Sequence, residues 1–342
     1  MSQNNCCCGA DCCADNIQDI FPAISTTLSF KDILGAWKAR WGIGRDTYRV
    51  EPGLYPVGKP DGKSPVLVSA NYKMTFDTVR KNLGGLDCWH LILDTNGVNV
   101  WCAAGKGTFG TWELLNRIEA TGLEKIIEHR TLIVPQLGAS GISAHEVLEG
   151  SGFSVIFGPV RAMDIKEFIS NDNKASEEMR TVKFTLRDRI VLVPMELTEA
   201  FKASLLVFGV LFLINLFAVR SFGMPDFLAY SAAVLSGSVL TPVLLPLIPG
   251  RAFAFKGWLT GLFATACIAG LFGWFRPPNL LLGIGYMCAL PAHSAFLALN
   301  FTGASTYTSL SGVIKEMKAA IPLIIISLVT GIVLILIKTF QG

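Results

Sequence analysis

The sequence predicts an α/β domain of the doubly wound, Rossmann-like type, followed by an all-α membrane domain of five transmembrane helices. Two observations predict this division. Strand-like and helix-like segments alternate through residues 1–200, which is the pattern of parallel α/β folds. From Phe201 onward the chain is a series of long apolar runs, and about 20 apolar residues are enough to cross a bilayer.

The composition agrees with this division. Hydrophobic residues make up 51% of the 342 residues and charged residues only 16%, which is typical of a membrane protein with a soluble part. Residues 201–342 contain eight Lys and Arg against two Asp and Glu, whereas residues 1–200 contain 21 against 24. The slight acidity of the first part argues against nucleic-acid binding. We expect a cysteine-rich tail with N-terminal helices over 1–40, the α/β domain over 41–200 and the membrane domain over 201–342.

Short apolar segments predict the buried strands of the α/β domain. They are residues 65–72, 89–95, 131–136 and 153–160. Helix-like stretches lie between them, near residues 75–83, 110–119, 121–129, 142–149 and 161–170. The segment "RIVLVPMEL", residues 189–197, predicts a last strand before the membrane. The segments "IQDIFPAI" and "FKDILGAWKARWGI" predict helices that pack on the domain or lie at the membrane surface.

Five apolar segments predict membrane spans. They cover about residues 203–219, 227–248, 255–275, 279–301 and 319–337. Five basic loop residues fall on the side of the α/β domain and three on the other side, so the positive-inside rule favours a cytoplasmic-membrane protein whose soluble domain is in the cytoplasm. Pro242, Pro246 and Pro249 should kink or end the second span. The intramembrane polar residues Asn215 and His293 are either functional or engaged in interhelical hydrogen bonds.

The stretch "NVWCAAGKGTFG", residues 99–110, is the most informative motif of the α/β domain. Its second half fits the G-x-G-x-x-G pattern of dinucleotide loops, which would suit a membrane transporter with a nucleotide-binding regulatory domain. However, the preceding strand is short, and the next strand ends in Gln136 rather than in an acidic residue that could bind a ribose. Alternatively, Cys102 is a nucleophile with His90 or His129 as its base, or a buried inert thiol.

A further interpretation is that the stretch opens a short helix that binds a flat ligand. Ala103 and Ala104 are good helix formers, and Gly105 and Gly107 would let a large planar group approach closely. The N-terminal end of a helix favours the thiolate form of Cys102, and Lys106 favours it further. A thiolate held beneath a flat metal macrocycle is a chemically sensible use of these residues.

The motif "NVWCAAGK" resembles the cap-helix motif of the corrinoid protein of microbial mercury methylation, the HgcA family. The order of domains is also similar to that family, in which a corrinoid-binding α/β domain precedes five membrane spans. That domain is similar to the corrinoid domain in the large subunit of the corrinoid iron–sulfur protein. The N-terminal "CCCGADCC" is outside this resemblance.

The resemblance implies roles for the residues of the motif. Cys102 would be the lower axial ligand of the corrinoid cobalt and the catalytic residue. Asn99, Val100 and Trp101 would shape the start of the helix. Three small residues would face the corrin ring: Ala103, Ala104 and Gly105. The remaining residues of the cofactor-binding set would be Lys106, Gly107 and Thr108.

The resemblance further implies a corrinoid-dependent methyltransferase of anaerobic metabolism that passes a methyl group from Cys-ligated cobalt to Hg(II), producing methylmercury. The alternative is a corrinoid methyl carrier of one-carbon metabolism, as in the acetyl-CoA pathway, with another acceptor. The sequence contains no C-x-x-C-x-x-C run for an iron–sulfur cluster of its own. The implied partners are a ferredoxin-like protein with two [4Fe–4S] clusters as electron donor and a methylfolate-derived methyl donor.

Nine cysteines are present, and five of them lie in the first 13 residues. Crowding of this kind does not favour a disulfide framework and indicates a reducing compartment. Soft thiolates bind soft metals such as Hg(II), so the tail is a candidate for capturing mercury, although a tail without that role is also open. The residues concerned are Cys6, Cys7, Cys8, Cys12 and Cys13.

Overall fold

The computed structural model describes residues 21–22, 24–304, 307–308 and 310–341. The five cysteines of the N-terminal tail and most of "IQDIFPAI" therefore lie outside the described residues. The chain folds as two compact units. The first contains the residues up to Ala39 together with Ile43–Val182, and the second contains Arg40–Gly42 together with the residues from Lys183 onward.

The first unit is built on a five-stranded mixed sheet. Its strands are β1 (Gly53–Val57), β2 (Val66–Ala70), β3 (Cys88–Leu93), β4 (Thr131–Val134) and β5 (Ser154–Phe157). Their order across the sheet is β1-β3-β2-β4-β5. Strands β2 to β5 are parallel, and β1 pairs antiparallel with β3. The predicted α/β fold and its four predicted strands are confirmed.

Strands β2 and β3 are buried at every residue. Helices cover both faces of a parallel sheet, so its central strands read as continuous apolar runs, which is the pattern that identified them in the sequence. The sequence did not predict β1, whose residues are "GLYPV". Pro56 cannot donate a ladder hydrogen bond, so a strand of this composition is restricted to the sheet edge, where β1 lies.

Helices connect these strands and flank them. They are α1 (Phe30–Arg40), α2 (Lys73–Asn82), α3 (Val100–Lys106), α4 (Thr111–Thr121), α5 (Leu123–Ile126), α6 (Ala144–Ser151), α7 (Ile165–Ser170) and α8 (Glu177–Arg180). One core cluster lies on the face of the sheet that α3 and α4 cover, with Phe109 and Phe153 fully buried. A second cluster, on the other face, contains Leu67 and Phe168.

The segment predicted as a last strand is helical, so that prediction is wrong. Residues 189–197 fall in α9 (Leu186–Ile190) and at the start of α10 (Val193–Asn215). Thr185 and Asp188 form a capping box at the start of α9, and a proline lies in the first turn of α10. Both are helix-start signals, and they outweigh the β-branched residues of this segment.

Among the described residues of the second unit, five helical segments are long and apolar enough to cross a membrane. They are Leu186–Asn215, Met224–Val243, Phe253–Leu271, Leu280–Gly303 and Ser311–Gln341. Their helices are α10, α11 (Met224–Leu235), α12 (Thr241–Val243), α13 (Phe253–Leu271), α14 (Leu280–Asn300) and α15 (Leu310–Gln341). All five predicted spans fall on these segments.

The second span is irregular, as its prolines predicted. A π-helical stretch, Ser236–Leu240, follows α11, and α12 ends at Val243, directly after Pro242. Asn215 closes the turn after α10, because its Oδ1 accepts from Phe222 N at 2.8 Å. The ring of His293 stacks on Tyr230, with ring centroids 5.4 Å apart.

Candidate functional site

An open cavity of about 390 Å³ lies in the first unit at the carboxyl ends of the parallel strands. The order β3-β2-β4 places successive connections on opposite sides of β2. Ligands of doubly wound folds bind in the crevice outside such a switch point. The cavity is lined by residues from β2, α2, the start of α3 and the segments after β4 and β5, including Ser69, Thr75, Asn99, Val100, Trp101, Pro135 and Gly158.

The short helix predicted within residues 99–110 is present as α3. Asn99 is its N-cap, and the side-chain Oδ1 of Asn99 accepts a hydrogen bond from Cys102 N at 2.9 Å. Gly107 ends the helix in the left-handed conformation, with φ 81°, and its N–H bonds back to the carbonyl groups of Ala103 and Ala104. Both ends of this short helix are therefore fixed by residues that belong to the motif itself.

The two faces of α3 have different environments. Ala103 and Ala104 belong to the core cluster and are almost completely buried. On the other side Cys102 is half-buried and Trp101 is 38% exposed. A side chain added at Gly105 would meet no atom within 4 Å.

The small residues of α3 lie in different environments. Ala103 and Ala104 pack inward on the domain core, and the expectation that they face a corrin ring together with Gly105 stays a prediction. The small side chain of Ala104 lets α3 approach the backbone at Gly141 closely. A Cβ atom added at Gly141 would lie 3.1 Å from the Cα atom of Ala104. Gly105 keeps the open position, and Lys106, Gly107 and Thr108 follow it at the end of the helix.

The loop that leads into α3 is held by Asn71, which sequence reasoning missed. The Oδ1 atom of Asn71 accepts hydrogen bonds from Thr95 N at 3.1 Å, Thr95 Oγ1 at 2.9 Å and Gly97 N at 3.0 Å. Its Nδ2 donates to Asp94 Oδ1 at 2.9 Å. Asn71 directly follows β2, and the sequence signal was a polar residue at the carboxyl end of a buried strand.

Glu113 in α4 secures the same loop from the other side. Its Oε1 accepts a hydrogen bond from Asp94 N at 2.8 Å. The same atom forms an ion pair with Arg117 Nη2 at 2.8 Å. Because Glu113 is buried, this partnered carboxylate has a fixed position. The loop that joins β3 to α3 is therefore held to α4 by hydrogen bonds at the position of the predicted site.

The structure distinguishes the two cysteines that it describes in the first unit. Cys88 is completely buried in β3, and burial raises the pKa of its thiol to about 12, so it stays protonated and inert. Cys102 is half-buried at the first turn of α3. Of these two described thiols, Cys102 is the one that a ligand can reach.

The histidines do not support the nucleophile interpretation. His90 lies in the sheet, bonds to Ser69 Oγ at 2.8 Å and stacks on Phe76. Complete burial lowers the pKa of His90 to about 3, so it is neutral at physiological pH. His129 precedes β4 at the opposite end of the strands, where its Nε2 bonds to the carbonyl of Ser64 at 2.9 Å.

The G-x-G-x-x-G match does not form a dinucleotide loop. Such a loop joins a strand to a helix, whereas here Gly105 lies inside α3, Gly107 ends it and Gly110 begins α4. Among the residues that the structure describes, no group of three or more His, Cys, Asp and Glu is placed to hold a metal ion.

Comparisons with known proteins find similarity over most of the first unit. The family model described as CO dehydrogenase/acetyl-CoA synthase delta subunit matches residues 37–169. The acetyl-CoA decarbonylase/synthase complex subunit gamma of Methanopyrus kandleri is 35% identical over 130 residues, which are 37% of this chain and 28% of that relative. The corresponding subunit of Methanocaldococcus jannaschii is 32% identical over 130 residues, or 37% of this chain and 26% of the relative. The chain thus spans less than a third of the length of these relatives, and the model match includes α3 with Cys102.

Proposed function

We propose that the chain is a membrane-embedded corrinoid methyltransferase that uses Cys102 as the ligand of cobalt and Hg(II) as the methyl acceptor. The observation that carries the proposal is a half-buried thiol on the first turn of α3, directly after Asn99, Val100 and Trp101, which line the cavity at the switch point of the sheet. The similarity of residues 37–169 to subunits of acetyl-CoA synthase complexes supports the corrinoid part of the proposal.

The residues at α3 fit a large planar cofactor. A Cβ added at Gly105 would meet no atom within 4 Å, so the helix leaves space beside Cys102. Trp101, which is partly exposed, also lines the cavity. Asn99 and Asn71 hold the helix and its loop without blocking it. When bound, a corrinoid would supply the cobalt centre that carries and releases the methyl group.

The protein's own contribution follows from the chemistry of Cys102. A thiolate is a strong, soft electron donor and a good ligand for soft metal centres. Cys102 would supply this donor to the cobalt of a bound corrinoid, and the cofactor would supply the methyl group that Hg(II), an electrophile, accepts.

The second unit suggests where this chemistry takes place. Five described segments are long and apolar enough to cross a bilayer, and we propose that they embed the chain in the cytoplasmic membrane with the first unit in the cytoplasm. The proposed partners are a ferredoxin-like protein with two [4Fe–4S] clusters, which would restore the reduced cobalt, and a methylfolate-derived methyl donor. The cysteine-rich tail, residues 6–13, remains a proposed binding segment for Hg(II).

A second candidate function comes from the relatives themselves. Their name, acetyl-CoA decarbonylase/synthase complex subunit gamma, favours a corrinoid methyl carrier that delivers its methyl group to another acceptor. Both functions need the same cofactor and the same ligand at Cys102.

The experiment that separates them offers two acceptors to one preparation. The full chain, purified anaerobically with its corrinoid and loaded with isotopically labelled methyl, is mixed with Hg(II) or with an acetyl-CoA synthase preparation. Labelled methylmercury that forms at a rate matching the loss of label from the protein supports the proposal. Transfer to the synthase with none to Hg(II) overturns it in favour of the carrier.

A further inference from the structure

Helix α1 presents a row of large apolar side chains on its outer face. Phe30, Ile33, Leu34 and Trp37 are between 38 and 76% exposed. Their spacing of three, four and seven residues places them on one side of the helix. Exposed Ile43 continues the row just beyond the helix end. We name these five residues the α1 stripe.

The opposite side of α1 is fastened to the first unit by charge. Asp32 Oδ1 is 2.6 Å from Lys73 Nζ, and Asp32 Oδ2 is 2.8 Å from Arg80 Nη2. The backbone N–H of Ser29 donates a hydrogen bond to Asp32 Oδ2 at 2.8 Å. Burial raises the pKa of Asp32, but the hydrogen bonds from Lys73 and Ser29 outweigh it and hold the pKa well below its usual range. Asp32 is therefore a fixed anion on the inner face.

Close packing fixes the same face of α1. A side chain at Gly35 would collide with the ring of Tyr48, whose hydroxyl donates to the carbonyl of Asp32 at 3.2 Å. Ala39, one turn further along, is fully buried. With Asp32, Gly35 and Ala39 facing inward, the helix has no freedom to rotate its apolar side chains into the domain. The exposure of the α1 stripe is thus set by the fold.

Basic residues border the stripe. Lys31 and Lys38 are exposed and lie, by helical periodicity, along one edge of the row. Helices that lie in the membrane interface have this arrangement, because Lys and Arg reach the lipid phosphates while Phe, Leu and Trp enter the boundary of the acyl chains.

The residues that directly follow α1 contact the first candidate span. Residues Arg40–Gly42 belong to the second unit. There the carbonyl of Trp41 accepts a hydrogen bond from Thr198 Oγ1 at 3.3 Å, and Thr198 lies in the segment Leu186–Asn215, the first candidate span. The stripe therefore ends within a few residues of a chain segment that is fixed to a membrane-crossing helix.

We propose that the α1 stripe lies in the headgroup–acyl boundary of the membrane, so that α1 is an interfacial anchor of the first unit. The occupant of the stripe is lipid. This inference rests on the proposed placement of the second unit in a bilayer and is independent of the corrinoid chemistry.

Site-specific photocrosslinking of the full chain tests it. A benzophenone amino acid replaces Ile33, and the protein is reconstituted in nanodiscs of phosphatidylcholine and phosphatidylglycerol. Two matched positions serve as controls. Exposed Leu206 in the first candidate span reports on spanning, and exposed Trp112 in α4 is an apolar surface residue outside the stripe. Mass spectrometry of the irradiated peptides identifies what each position has captured.

The expected result is phospholipid adducts at positions 33 and 206 and none at position 112. Lipid at 206 without lipid at 33 overturns the anchor while leaving the membrane placement intact, as does capture of a second copy of the chain or of another protein at 33. No lipid at either position overturns both. Lipid at 112 in the same yield as at 33 also overturns the anchor, since the contact would not be specific to the stripe.

Fluorescence gives a second readout in the same nanodiscs. Brominated lipids quench tryptophans that lie at the depth of the bromine, and the difference between wild type and Trp37→Phe isolates the contribution of Trp37. We expect Trp37 emission to be quenched in wild type and to lose that quenching in Ile33→Glu, where a carboxylate enters the stripe. Trp37 emission that brominated lipid leaves unchanged in wild type overturns the proposal.

Discussion

Asn99 Oδ1 accepts the backbone N–H of Cys102 at 2.9 Å, so the residue that starts helix α3 also positions the thiol of the proposed site. Replacing an N-cap Asn by Ala costs about 1 kcal/mol. We expect Asn99→Ala to raise amide hydrogen exchange over Val100–Lys106 and to weaken corrinoid binding, whereas Asn99→Asp keeps the cap and the protection. Exchange mass spectrometry of the full chain measures this. Equal protection in Asn99→Ala and wild type would show that the cap does not hold the helix.

The two faces of α3 predict opposite results for neighbouring substitutions. Gly105→Leu points into open space, so the free energy of unfolding should stay equal or rise by up to about 1 kcal/mol, while corrinoid binding is lost. Ala104→Leu overpacks the core and should cost about 1–3 kcal/mol. Thermal unfolding and cofactor titration of both variants check the pair. Full cofactor affinity in Gly105→Leu would exclude this face as the binding surface.

Thiol reactivity should follow burial. We expect iodoacetamide to modify Cys102 in the folded, cofactor-free chain and to leave Cys88 unmodified, because burial raises the pKa of Cys88 to about 12. Peptide mapping separates these two cysteines from the others. Bound corrinoid should then protect Cys102. Modification of Cys102 at an unchanged rate in the presence of corrinoid would argue against ligation, and unfolding in denaturant provides the control in which both thiols react.

The buried histidine predicts a pH dependence of stability. His90 has a folded pKa of about 3 against 6.5 in the unfolded chain. Its contribution is fully present above pH 6.5 and is lost as the pH falls, because the unfolded state alone binds the proton. The free energy of unfolding should fall by up to about 1.4 kcal/mol per pH unit in this window. His90→Phe should flatten that slope, measured by thermal unfolding between pH 7 and pH 5 as a difference from wild type. Parallel slopes would contradict a neutral His90.

The sequence was sufficient for the elements with strong local signals. The parallel strands are continuous apolar runs, and the five spans are longer than any core helix, so each was visible without tertiary information. Residues 189–197 contain β-branched residues that favour a strand, but the capping box at Thr185 starts a helix just before them. Strand β1 was missed because a short edge strand with a central proline has no periodic signal.

The site was predicted in part. Asn99 and Cys102 could be placed on a helix start from the motif alone, and the structure agrees with that local geometry. The inward packing of Ala103 and Ala104 depends on which face of α3 meets the core, which seven residues do not reveal. Asn71 and Glu113 act across 24 and 19 positions of sequence, respectively, so their hydrogen-bond partners cannot be read from a local pattern, although the position of Asn71 directly after a buried strand was a signal.

Cobalt K-edge X-ray absorption of the corrinoid-loaded full chain tests whether Cys102 ligates cobalt. We expect a sulfur atom in the first coordination shell of cobalt in wild type and in Cys88→Ala, and its loss in Cys102→Ala that still binds the cofactor. A first shell without sulfur in wild type, or sulfur retained in Cys102→Ala, would contradict the assignment of Cys102 as the cobalt ligand.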